Sequence, residues 1–256
     1  MLPAMSRRLP LLPRAIVGLL CAALLPLAAQ AQSTAVEPAP QRGQGWMNRH
    51  DAFLAEAKRG GIDLLFLGDS ITDFWRDPAR GLPVWERNFA PLHAANFGIS
   101  ADRTQHLLWR LDHGEVDGIS PKVVVLLIGT NNTGWESDLK TPRNSTEEAL
   151  QGVTLIVHTL LTKLPHTKIL LMAVFPRADE KGPPPGKQIP EINAALARLA
   201  DGKFVQFLDL GPKLLDAKGE VSRDLMPDLL HPNTRGYEIW ADALREPLAR
   251  LMADPK

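Results

Sequence analysis

Cysteine is almost missing from this chain: 256 residues contain one, Cys21, and it lies in an apolar stretch near the start. That excludes an internal disulfide framework and any site built from paired thiolates. An excess of either charge is missing too. Lys plus Arg and Asp plus Glu each number 29, and no dense basic cluster occurs. Neither nucleic acid nor an anionic membrane surface is therefore an expected partner. Neither Gly-x-Gly-x-x-Gly nor Gly-x-x-x-x-Gly-Lys is found, which removes the common phosphate-cradling loops. The 7 histidines show no His-x-His or His-Glu-x-x-His spacing, so no metal site and no cofactor are expected.

Long hydrophobic runs are also scarce. The apolar stretch AIVGLLCAALLPLAA is broken by Pro26, and it is short of the about 20 residues that span a bilayer. Arg7, Arg8 and Arg14 make a basic start to it, and Ala29-Gln30-Ala31 has the small-x-small pattern of a signal-peptidase site. Residues 1–31 thus read as a cleaved export signal, with a periplasmic or extracellular destination and no stable membrane insertion after cleavage. Without those three arginines, the mature chain holds 26 basic and 29 acidic residues and no cysteine. Residues 32–45, QSTAVEPAPQRGQG, are polar and rich in Pro and Gly, and read as a flexible linker. Residues 46–256 then form one folded domain, as 45% hydrophobic and 23% charged residues allow.

What is present is a regular alternation. DLLFLG (63–68), AANFG (94–98), KVVVLLIG (122–129), KILLMAVF (168–175) and FVQFLDL (204–210) are nearly continuous apolar runs, the pattern of strands covered on both faces. Helical stripes lie between them. Asp102 and Gln105 have capping-box spacing ahead of Leu107, Leu108 and Leu111, and Ser145 and Glu148 repeat it ahead of a stripe from Val153 to Leu164. Further helices are expected over 188–200 and from Thr234 onward, the last bent at Pro247. A proline-rich loop, 176–188, follows the fourth strand. Such alternation predicts a five-stranded parallel sheet between two helical layers, an α/β/α sandwich.

In such sheets ligands bind beyond the carboxyl ends of the strands. Gly68-Asp69-Ser70, Gly98 and Gly129-Thr130-Asn131-Asn132 end the first three strands, and Asp228 and His231 sit three apart late in the chain. A serine becomes a nucleophile when a base takes its proton; histidine suits that task near neutral pH, and a carboxylate fixes its tautomer. The backbone N–H groups of Ser70 and Gly98 with the Asn131 amide offer three donors to a developing oxyanion. Each motif alone also fits an ordinary turn or helix start; their conjunction at separate strand ends points to acyl transfer. Trp75 and Trp135 follow two of these blocks closely, placed either to stack on substrate or to pack against a helix. The serine lacks the Gly-x-Ser-x-Gly elbow of the α/β-hydrolase fold, since Ile71-Thr72 follows it.

FLGDSIT, NFGIS, LLIGTNN and DLLHPNTRGY together resemble the four blocks of the SGNH, or GDSL-type, ester hydrolases, over roughly residues 60–250. The stretch from Pro91 to Asn132 is most similar to the branch that contains platelet-activating-factor acetylhydrolase catalytic subunits. The resemblance implies a flavodoxin-like sandwich with Ser70 as nucleophile, His231 as base and Asp228 as its orienting acid. It further implies an oxyanion hole of Ser70, Gly98 and Asn131, with Asp69 supporting the loop. Many members have Asp where this chain has Asn132, but that branch carries Asn too. The implied activity is removal of short acyl groups, acetyl above all, through an acyl-serine intermediate. With an export signal, acetylated carbohydrate is the expected substrate. The alternatives are a lipid-directed esterase, namely a phospholipid acetylhydrolase, lysophospholipase or thioesterase, and a non-catalytic sugar-binding module. The resembling subunits pair, so a homodimer is expected.

Overall fold

The computed structural model describes residues 33–178 and 188–253; the expected signal and most of the proline-rich loop lie outside the described residues. Each apolar run ends in a short strand: β1 (Leu64–Gly68), β2 (Ala94–Gly98), β3 (Val123–Leu127), β4 (Lys168–Met172) and β5 (Val205–Leu208). All pair in parallel in the order β2-β1-β3-β4-β5. Successive side chains point to opposite faces. Leu65, Leu67, Val124 and Leu126 face a core shared with α1 (Gln44–Arg59), α4 (Thr104–Asp112), α5 (Thr146–Lys163) and α6 (Gln188–Leu196). Leu64, Phe66, Val123 and Val125 face a second core with α3 (Leu82–Asn88) and α7 (Thr234–Ala253). Three layers result, as the unbroken apolar runs require.

The Ser145–Glu148 box forms as expected: Glu148 N–H donates to Ser145 Oγ at 3.1 Å, and Ser145 N–H to Glu148 Oε2 at 2.8 Å. The expected Asp102–Gln105 box does not form. The N-cap is one residue later, at Arg103, whose N–H donates to His106 Nδ1, and Thr104 N–H donates to Asn132 Oδ1, both at 2.9 Å. Burial, helped by Arg103 and Arg110, takes the His106 pKa down to about 4, so its ring stays neutral and able to accept. Helix α7 runs through Pro247 as one element.

Residues 33–45 are not a free linker. Thr34–Val36 forms a short 3₁₀ turn, Ala35 is wholly buried, and its carbonyl accepts from Thr104 Oγ1 at 2.8 Å. Ala39 N–H donates to Gln105 O at 3.1 Å. Gly152 of α5 permits this docking, because a Cβ there would stand 2.8 Å from Ala35 O and 2.4 Å from Thr104 Oγ1. The composition suggested mobility; these contacts with α4 and α5 hold the segment instead.

In this strand order the chain leaves β1 first toward β2 and then returns to its other side for β3. The crevice between their carboxyl ends is where such sheets receive ligands.

Candidate active site

At the end of β1 the chain turns sharply into α2 (Ser70–Asp73). The turn needs Gly68: a Cβ there would lie 2.2 Å from Leu127 O and 2.3 Å from Thr72 Oγ1. Asp69 caps α2 by accepting Ile71 N–H at 3.0 Å. It is fully buried, and burial pushes its carboxyl up to about 7. Far along the chain, Tyr237 Oη donates to Ile71 O at 2.6 Å and ties α2 to α7.

Ser70 Oγ lies 2.9 Å from His231 Nε2, and His231 Nδ1 lies 2.7 Å from Asp228 Oδ2. The second pair is built locally. Asp228 Oδ1 accepts the N–H groups of Leu230 (3.1 Å) and His231 (2.7 Å), and Leu229, which follows Asp228, takes a left-handed conformation, φ 60°. Partial burial works to raise the Asp228 carboxyl, but the His231 N–H and imidazole outweigh it and hold it below the usual carboxylate range. Burial, with Arg80 and Arg177 adding to it against Asp228, lowers the His231 pKa below its ordinary value. A neutral imidazole beside a hydroxyl can take its proton as that oxygen attacks.

The donor set differs from expectation at one position. The Gly98 N–H donates to Asn96 Oδ1 at 2.9 Å and has no proton left for a ligand. The glycine serves packing, since a Cβ would stand 2.5 Å from Asp73 N. The chain continues into a turn in which Asp102 N–H donates to Ile99 O at 3.2 Å and Ala101 takes φ 65°. A left-handed third residue marks a turn of the kind that usually carries glycine. Ala101 supplies no such cue, so the sequence gives little sign that the turn matters. Among the described residues, the N–H groups of Ser70 and Ala101 have no protein partner.

Asn131 follows β3 and donates through Nδ2 to Asp102 O at 3.0 Å, which fixes the amide plane and leaves its second proton. Asn132 is wholly buried and binds Thr104, Gln105 and Asn144, so its work is to fasten the loop to α4. Trp75 is not at the site. It is fully buried among Trp85, Phe89, Tyr237 and Trp240, where its ring fills the core under α7. Trp135 is half-buried in the loop beyond Asn132 and bridges to Pro142.

A parallel α/β sheet carrying a hydrogen-bonded serine, histidine and carboxylate at its crevice is of the acyl-hydrolysing class. Within it, the chain belongs to the GDSL-like lipase/acylhydrolase family, whose model matches residues 66–239, and it is a carboxylic ester hydrolase. Platelet-activating factor acetylhydrolase IB subunit alpha1 of Homo sapiens is 33% identical over 226 residues, covering 87% of this chain and 92% of that protein. A GDSL-like lipase from Bacteroides thetaiotaomicron shares the fold with a TM-score of 0.63 at 18% identity, over 78% of this chain and 97% of that one. The acetyl xylan esterase AlAXEase does so with a TM-score of 0.58 at 20% identity, over 73% of this chain and 100% of that one.

Proposed function

We propose that this protein is an exported serine esterase that removes acetyl or similarly short acyl groups from carbohydrate. The observation that carries the mechanism is the unbroken line Ser70 Oγ–His231 Nε2 at 2.9 Å and His231 Nδ1–Asp228 Oδ2 at 2.7 Å. Ser70 attacks the ester carbonyl as His231 takes the hydroxyl proton. The N–H groups of Ser70 and Ala101 and the free proton of the Asn131 amide receive the negative charge on the carbonyl oxygen. His231 then protonates the leaving alcohol, and water, deprotonated by the same imidazole, clears the acyl-serine. Asp228 holds the tautomer throughout and stabilises the imidazolium.

Acetyl preference is supported by the names of two similar proteins, one an acetylhydrolase and the other an acetyl xylan esterase. Carbohydrate is favoured over phospholipid by the expected export signal. A fluorophosphonate probe labels the wild type and not Ser70→Ala, and that substitution abolishes turnover of nitrophenyl acetate while the domain stays folded. Labelling or turnover retained in the Ser70 variant overturns the mechanism. Acetylated xylan and nitrophenyl acetate are turned over faster than nitrophenyl octanoate; the reverse order replaces this substrate class with a lipid-directed one. Replacing Asn131 by Ala lowers kcat by about 10²–10³, the scale of one oxyanion donor.

A further inference from the structure

The segment ahead of α1 reaches further than its docking on α4 and α5 requires. Gln41 Nε2 donates both to Ser100 O at 3.1 Å and to Asp102 Oδ1 at 2.7 Å, bridging the two sides of the turn that holds Ala101. Trp46 Nε1, in the first turn of α1, donates to the same Asp102 oxygen at 2.8 Å. Asp102 is wholly buried, and Arg110 Nη2 stands 2.8 Å from its other oxygen, an ion-pair contact too oblique to be a hydrogen bond. Burial alone would lower the Arg110 pKa, but Glu115 and Asp102 push it above its ordinary value, so the guanidinium stays charged. The Asp102 carbonyl, meanwhile, is the acceptor that orients Asn131. One residue thus joins the N-terminal segment to both the Ala101 amide and the Asn131 amide.

We propose that Gln41 and Trp46 are positioning residues for ester hydrolysis: they grip Asp102 and Ser100 and thereby set the two donors contributed by Ala101 and Asn131. This rests on the serine-esterase reading above. Neither residue touches substrate. They act by holding the turn against rotation about its left-handed Ala101. Asp73, at the end of α2, holds the same turn: its Oδ2 accepts Ser100 N–H at 3.2 Å and Ser100 Oγ at 2.7 Å. A donor displaced by a fraction of an ångström stabilises the oxyanion poorly while leaving ground-state binding intact, so the loss falls on kcat.

The test uses Gln41→Ala and Trp46→Phe, which delete donors and leave α1 and the sheet in place, together with Asn131→Ala. Gln41→Ala and Trp46→Phe should each lose about tenfold in kcat on nitrophenyl acetate with KM within about twofold. Gln41→Ala should cost less in the Asn131→Ala background than in the wild type, because the part of its effect that runs through that amide is already lost. Hydrogen exchange of the peptide spanning 97–105 should quicken in Gln41→Ala. Full kcat in both single variants, losses that multiply independently in the double variant, or unchanged exchange overturns the proposal. Should the wild type show no esterase activity, the functional reading fails and the exchange measurement alone decides whether the grip exists.

Discussion

The charges around His231 set how the site responds to pH. Burial lowers its pKa below 6.5, Asp228 opposes this, and Arg80 and Arg177 reinforce it. Arg80 lies 4.5 Å over the Phe74 ring, which in turn packs 4.9 Å from the imidazole. In the proposed mechanism only the neutral ring acts as base, so the acid limb of kcat/KM is expected below pH 6.5. Arg80→Gln removes a repelling cation and moves the limb upward; Asp228→Asn moves it downward as activity collapses. A pH–rate series on nitrophenyl acetate reads both shifts. Asp69 gives a stability signature. Its folded pKa, raised from 3.8 to about 7, means the folded chain holds that proton more tightly than the unfolded one. The contribution is fully present below pH 3.8 and is lost as pH rises through about 7. Asp69→Asn keeps the cap and removes the ionisation, so at pH 8 it should gain on the order of 4 kcal/mol in urea unfolding relative to wild type. Ala101→Gly should gain about 1 kcal/mol by relieving the left-handed backbone, with activity kept. At this scale Ser70, Asn131 and the Asp228–His231 pair were legible, because each stands in a short local motif. The mistaken donor, Gly98, was not correctable from sequence: whether an N–H at a strand end is available depends on which side chain reaches it, here Asn96.

Among the elements, strands were the most readable, because burial on both faces leaves no polar position to confuse the pattern. Helix α1 was hidden. Its buried stripe is Trp46, His50, Phe53 and Ala57, and the histidine interrupts what is otherwise an i, i+4, i+7, i+11 face. His50 is tolerated inside because its Nδ1 lies 3.4 Å from the buried Glu115 carboxylate. The short helices α2 and α3 have too few turns to show a period. Where elements meet most closely, glycine decides. Gly68 and Gly98 are register partners at the ends of β1 and β2, and α2 rests on both, through the Thr72 side chain at Gly68 and the Thr72–Asp73 backbone at Gly98. Gly98→Ala should therefore push α2 outward, costing about 1–3 kcal/mol and lowering kcat through a displaced Ser70, measurable by denaturant titration beside kinetics.

For the whole molecule, topology gathers what the sequence scatters. Parallel strands deliver every carboxyl end to one edge, so residues 70, 101, 131 and 231 converge without a single long-range motif linking them. The proposed maturation after Ala31 would leave Gln32 as the first residue, immediately ahead of the docked segment that carries Gln41. N-terminal sequencing of the protein expressed from its full chain checks this directly; an uncut leader or a cut beyond Gln41 overturns it.

The contact between Tyr237 and Ile71 has a practical consequence. This is the chain's lone phenol, and burial raises its pKa well above 10.0. Its ring sits 4.4 Å from Trp75, so excitation absorbed there drains into indole emission while the fold is intact. Ultraviolet absorbance of the phenolate, or emergence of tyrosine fluorescence, therefore becomes an unlabelled optical gauge of whether the helix that carries Ser70 is still seated.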